Sequence, residues 1–244
     1  MELPALTPAT LIRRYKRFLA DVTLADGTVT TVHCPNPGSM MGLKDPGRPV
    51  WLSTSTNPKR KLAQTLELVD IDGTLVAINT NNPNKLAEEA IRGGTIAELQ
   101  GWQNLRREVP YGENSRIDVL LEGAGGERTY VEVKNCHLIR TPGLAEFPDS
   151  VTTRGAKHLR ELARMVSEGH RAVMLFIVQY PTATRFATAP DLDPAYHQGL
   201  LQAAEAGVEV LIYRCHIDLK AITVTNRIPW QSPQQTQGQS AGQN

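Results

Sequence analysis

The sequence predicts a mixed α/β protein whose first third is all-β. Three observations point there. Short apolar runs separated by turn residues fill roughly the first 80 positions. Helical and strand-like patterns alternate after Asn81-Asn82-Pro83-Asn84. Residues 172–178, Ala-Val-Met-Leu-Phe-Ile-Val, form an unbroken apolar run with the length of a buried strand. At 244 residues, 41% hydrophobic and 21% charged, the chain can bury a core as one large domain or two small ones.

In chain order, residues 20–24 read as a strand closed by the turn Asp26-Gly27. Residues 28–33, 49–53 and 65–69 follow, and Asp72-Gly73 turns the chain into 75–79. Short strands at this density suggest a small barrel or sandwich. After the linker, residues 85–100 read as a helix, and residues 115–121 and 129–135 as strands paired about Gly123-Ala124-Gly125-Gly126. A helix is expected at 153–168, with Leu159, Leu162, Ala163 and Val166 on one face. Strand 172–179, helix 195–206, strand 208–217 and an edge strand at 221–228 complete a mixed sheet flanked by helices. The expected division is 1–82, 83–230 and a Gln-, Ser- and Gly-rich tail at 231–244, predicted to be disordered.

Lys and Arg total 26 against 25 Asp and Glu, a net charge of +1, so nucleic-acid binding would have to come from clustered charge. The seven-residue apolar run falls far short of the about 20 residues that span a bilayer, and no membrane partner is expected. The N-terminus lacks the basic-then-apolar order of a signal peptide. Cys34, Cys136 and Cys215 lie too far apart for a disulfide framework or paired zinc ligands, which suits a reducing cytoplasm. No Walker-type phosphate loop is present.

The densest chemistry lies in Ser115-Arg116-Ile117-Asp118-Val119-Leu120-Leu121 and Tyr130-Val131-Glu132-Val133-Lys134. Side chains alternate along a strand, so Ile117, Val119 and Leu121 share one face and leave Asp118 on the other. Val131 and Val133 likewise leave Glu132 and Lys134 opposite them. A hairpin turning about Gly125 sets Asp118 across from Glu132, with Cβ atoms about 5 Å apart. Two facing carboxylates repel unless compensated. Mg2+ or Mn2+ suits hard oxygen ligands, and an adjacent lysine suits phosphodiester chemistry. An exposed face of mixed charge would also carry this pattern.

Asp followed on the next strand by Glu-x-Lys resembles the core of the PD-(D/E)xK nucleases. The whole chain resembles the sugar fermentation stimulation protein A family through LIRRYKRFL (11–19), HCPNPGSM (33–40), NKLAEEAI (84–91), YGENSRIDV (111–119), VEVK (131–134) and FPDSVTTRGAKHLREL (147–162). That resemblance implies a small N-terminal β-barrel of oligonucleotide-binding (OB) type, a C-terminal PD-(D/E)xK nuclease-like α/β domain, and DNA binding. It implies Asp118 and Glu132 as metal carboxylates and Lys134 as their lysine. A further acid from the preceding helix is assigned to Glu89, with Glu88 and Glu98 as alternatives. Ile117 stands where a proline precedes the aspartate in the superfamily's named motif.

Up to Asn82 the chain holds nine Lys and Arg against seven Asp and Glu, concentrated in Arg13-Arg14-Tyr15-Lys16-Arg17-Phe18 and Lys59-Arg60-Lys61. Cations beside stackable rings suit nucleic-acid backbones and single strands. On the helix at 153–168, Arg154, Lys157, His158 and Glu161 share a face by i, i+3 and i+4 spacing, which makes Arg154 and Lys157 further phosphate contacts and His158 a candidate base or ligand. The expected protein is a cytoplasmic, Mg2+- or Mn2+-dependent phosphodiester hydrolase acting on DNA, with RNA and self-association left open. The alternative is a non-catalytic DNA-binding regulator, linked to sugar metabolism by the resemblance, that keeps the nuclease fold.

Overall fold

A computed structural model describes residues 1–231. The first sheet is built from β1 (Leu6–Tyr15), β2 (Leu19–Leu24), β3 (Val29–His33), β4 (Pro49–Thr54), β5 (Gln64–Ile71) and β6 (Thr74–Ala77). Its order is β3-β2-β1-β4-β5-β6, and a bridge between His33 and Thr65 joins β3 back to β5, so the sheet curls into a ring. Gly27 and Gly73 take φ of 85° and 88° at the two predicted turns, a region open to glycine at little cost. Leu11, Val22, Val32, Val50, Leu52, Leu66 and Val76 point inward, and Met40 and Leu43 join them from the loop after β3.

The chain continues through α1 (Pro83–Arg92), β7 (Asn104–Tyr111), β8 (Ser115–Glu122), β9 (Arg128–Cys136), β10 (Leu138–Thr141), β11 (Leu144–Phe147) and α2 (Thr153–Ser167). It ends in β12 (Arg171–Val178), β13 (Arg185–Thr188), α3 (Pro194–Glu205), β14 (Glu209–Ile217) and β15 (Ile222–Arg227). The main sheet runs β15-β14-β12-β9-β8-β7, with β9, β12 and β14 parallel. Strands β10, β11 and β13 form a small separate sheet. Leu86, Ala87, Ala90 and Ile91 of α1 cover one face of the main sheet over Val119, Val131, Val133 and Val173. Helices α2 and α3 cover the other through Leu159, Leu162, Tyr196 and Leu200 over Leu120, Tyr130, Met174 and Phe176. This layering makes β12 apolar on both faces, as its sequence predicts.

Two expectations change. The helix predicted at 85–100 stops at Arg92, because Gly93 and Gly94 follow and Gly94 takes φ of 77°; a 3-10 turn at Ala97–Leu99 is all that continues. A strand not expected from the sequence, β1, precedes residue 20, and the first three residues lie apart from the first sheet: Glu2 bridges to Ala221, and the N–H of Leu3 donates to the carbonyl of Lys220 at 2.7 Å. Leu68 and Ala77 of the first sheet lie in one apolar cluster with α1 and the main sheet. Apart from Gln231, the tail predicted to be disordered lies outside the described residues. No helix of the described residues is long and apolar enough to cross a membrane.

Candidate functional site

Strands β8 and β9 pair in the register predicted by the turn, with Val119 opposite Val131 and Glu122 opposite Arg128. The ladder stops at Val119 and Val131. One step further the strands part, and the carboxylate of Asp118 fills the gap: the N–H of Val133 donates to its Oδ2 at 2.7 Å. From α1, the Asn84 amide donates to Oδ1, also at 2.7 Å. The parting has a cost in regularity. Ile117, expected on the face of Val119 and Leu121, packs instead in the cluster beneath α2.

Glu132 is 2% exposed and lies on the α2 side of β9. Its Oε1 accepts from Lys134 Nζ at 2.6 Å and from Nδ1 of His158, a residue 3% exposed on α2. The Arg154 guanidinium donates to His158 Nε2 at 3.3 Å, which leaves the imidazole proton on Nδ1, aimed at Glu132. Burial pushes the Glu132 carboxyl up, but the charge of Lys134 and the hydrogen bond from His158 outweigh it and hold the carboxyl low. Asp118 goes the other way: burial first, then the charge of Glu132, push it up to about 6. Two neighbouring carboxylates with separated affinities for protons make a chemically unequal pair.

Asp118, Glu132 and Lys134 thus lie close enough to act on one another, with Asn84, Arg154 and His158 around them, but Asp118 is not ladder-paired with Glu132 as the turn predicts. Glu89 does not join them. It turns outward and pairs with the Met1 amine at 2.6 Å, because the face of α1 toward Asp118 carries Asn84. Glu88, one turn beyond Asn84, pairs with Arg92 and Arg107. Glu98 pairs with Arg227 and accepts from Tyr213. Asn84 opens the NKLAEEAI stretch, where it reads as a residue of the helix start; its role shows only once α1 is docked.

The cationic residues divide by what they already hold. Arg14, expected at a nucleic-acid surface, is part-buried and donates to the carbonyls of Arg17, Asn36 and Gly38 at 2.7–2.9 Å, so it is a fastener of the loop after β3. Arg13 pairs with Asp21 at 2.8 Å and lies over the Tyr15 ring. Lys16 and Arg17 form the β1–β2 turn with φ of 47° and 64°, beside the exposed Phe18. Lys59, Arg60 and Lys61 sit in the exposed loop between β4 and β5, where Arg60 donates to Thr65. On α2, Lys157 reaches the Glu113 carbonyl at 2.6 Å, and a cleft of about 250 Å³ is lined by Glu113, Lys157, Arg160, Glu161 and Arg164.

The donor set fits a hard divalent cation. Asp118 and Glu132 offer carboxylate oxygens, and the charge of Glu132 helps keep Asp118 hard to ionise. Positive charge between the two carboxylates would relieve both. No group of three His, Cys, Asp or Glu side chains gathers around a metal position among the described residues. A cation here would therefore draw its remaining ligands from water or substrate oxygens, a habit of Mg2+.

The sequence matches the sugar fermentation stimulation protein RE domain over residues 81–221 and the N-terminal OB domain of the same family over residues 12–78. A sugar fermentation stimulation protein homolog from Rhodospirillum centenum is 59% identical over 210 residues, covering 86% of this chain and 90% of the relative. The homolog from Maricaulis maris is 56% identical over 225 residues, covering 92% and 96%. The solved structure of the Pyrococcus furiosus protein in complex with Ca2+ superimposes with a TM-score of 0.86 at 28% identity, covering 95% of this chain and 98% of that one. The ring-like first sheet is accordingly an OB domain, and the chain belongs to the sugar fermentation stimulation protein family.

Proposed function

We propose that this protein is a divalent-cation-dependent phosphodiester hydrolase acting on DNA. The observation that carries the proposal is the convergence of Asp118, Glu132 and Lys134 where β8 and β9 part. Asp118 and Glu132 are the residues that would hold Mg2+ or Mn2+; the Pyrococcus furiosus relative was solved with Ca2+, a cation of the same oxygen-seeking kind. A cation at this place supplies Lewis acidity, which offsets charge on phosphoryl oxygens and makes an attacking water more acidic. Asn84 and the Val133 N–H orient Asp118. His158 and Arg154 brace Glu132 from α2. Lys134 has its ammonium on Glu132 and can swing to a phosphoryl oxygen as negative charge builds there.

The same geometry suggests the route of the backbone. Arg154, Lys157, Arg160 and Arg164 recur every three or four residues along α2, and the first of them touches His158. Arg154 to Arg164 spans about 15 Å at 1.5 Å per residue, room for two or three phosphates. Lys16, Arg17 and the 59–61 loop of the OB domain offer a second, sequence-independent contact. The test is incubation of the purified protein with single-stranded, duplex and branched DNA, and with RNA, in Mg2+ or Mn2+. Cleavage lost in Asp118→Ala supports the proposal. Intact DNA of every form, bound but uncut, would assign the non-catalytic regulator instead.

A further inference from the structure

Beneath α2, the buried oxygens that face no protein group within hydrogen-bonding reach among the described residues include the Tyr196 hydroxyl on the α3 side and three on the β7 side: Oε2 of Glu132, Oε2 of Glu161 and the hydroxyl of Tyr111. The latter three come from three elements that meet. Glu161 follows His158 by three residues on the buried face of α2, and His158 touches Glu132. The Glu161 side chain also lies against the chain just after Tyr111. Its Oε1 accepts from the N–H of Glu113 at 3.1 Å, and a Cβ built on Gly112 would stand 2.9 Å from that oxygen. Tyr111 is 8% exposed and stacks at 5.7 Å on Tyr130, which precedes Glu132 by two residues on the same face of β9. Burial, then the charges of Glu132, Glu161 and Asp118, push its phenol up, as expected of a hydroxyl ringed by carboxylates.

Bare polar atoms at this depth are costly, so three together point to an occupant. The hydrogen-bonding count selects it. The two carboxylate oxygens can only accept, while the phenol has one proton to give. A water molecule donates twice and accepts, which satisfies all three at once. A metal ion accepts no hydrogen bond, so it would leave the phenol proton unpaired and would not satisfy all three.

We propose that Tyr111 and Glu161 are positioning residues that hold Glu132 through one buried water, so that the carboxylate is fixed at Oε1 by Lys134 and His158 and at Oε2 by this water. The consequence for cation binding rests on Glu132 being a cation ligand; the water does not.

Tyr111→Phe removes only the hydroxyl, and two measurements on the full-length protein decide the matter. In EDTA, a hydroxyl that serves the water should cost the variant about 2–4 °C of melting temperature, the shift of one ordinary hydrogen bond in a chain of this size. An unchanged or higher melting temperature means the hydroxyl had no partner, and overturns the proposal. In a calorimetric titration with Ca2+, the variant should bind about tenfold more weakly, the low end of the loss when a ligand's outer support is removed. A lower melting temperature with unchanged Ca2+ affinity would overturn the positioning role. Failure of the unmodified protein to bind Ca2+ would overturn the cation site proposed above, while the EDTA melt would still decide the water.

Discussion

Lys134 faces two demands, neutralising Glu132 and serving a reacting phosphate, and they can be separated by removing its charge alone. Lys134→Met keeps the apolar stem. Where a cleavage assay succeeds, this variant should lose rate by about 10²-fold or more, the scale of one missing transition-state donor, with a modest change in DNA affinity. Normal cleavage would leave Lys134 as a local neutraliser. Asp149 carries a different kind of consequence. Burial pushes its carboxyl up, but the hydrogen bond and charge of His137 and the N–H of Met40 outweigh it and hold the group at about 2, against 3.8 when free. Because the folded value is the lower one, Asp149 contributes stability above about pH 4 that is lost as pH falls toward about 2. The shift corresponds to about 2 kcal/mol. Asp149→Asn should therefore be less stable at pH 7 by about that amount and converge with the unmodified protein near pH 2, measured by urea titration at each pH. Parallel acid profiles would remove Asp149 from the account.

Among the elements, α2 is the one on which DNA binding is expected to turn. Replacing Arg154, Arg160 and Arg164 by Ala should flatten the slope of log affinity against log salt, equally for unrelated sequences. The change should reach up to about 0.9 for each duplex phosphate that is no longer neutralised. The same exchange at Lys16, Arg17 and Lys61 measures the OB domain's share, and a slope moved only there would place the backbone path away from α2. Arg14 does not belong in that experiment, since its guanidinium holds three carbonyls. The β8–β9 hairpin is legible in the sequence because its Gly-rich turn sits between two apolar-rich runs, although the face of Ile117 is not, since the alternation breaks where the strands part. Strand β1 is not, since it buries only Ala9 and Leu11 among its ten residues and slips register after Leu11. Nor is β7, an edge strand with three charges and a proline, whose solvent side carries no pattern to read. Glu89 is a different case, since its assignment rests on the resemblance of NKLAEEAI, which does not say how α1 docks; Asn84 meets Asp118 and Glu89 turns to Met1 because α1 packs through Leu86, Ala87, Ala90 and Ile91.

At the scale of the whole molecule, the two sheets share a buried apolar cluster. Leu68 and Ala77 of the OB domain pack in it with Ile91, Val131 and Val173, and the chain's first residues are hydrogen-bonded into the edge near Lys220 and Ala221. Calorimetric unfolding should accordingly give a single transition whose calorimetric and van't Hoff enthalpies agree. Two resolved transitions would show the sheets to be energetically independent.

The close approach around Gly38 has a wider consequence. Arg14 pins the carbonyls of Asn36 and Gly38, the Asp149 carboxylate receives the N–H of Met40, and a Cβ on Gly38 would stand only 2.5 Å from that carboxylate. The glycine lets the two halves close with no side chain between them, and the bolt so formed holds the Lys16–Arg17 turn at a fixed remove from Asp118. Under the proposed function, a nucleic-acid strand touching both would have to bridge that interval, so the protein would act as a gauge, and nuclease footprinting should give a protected length that stays constant from one sequence to the next.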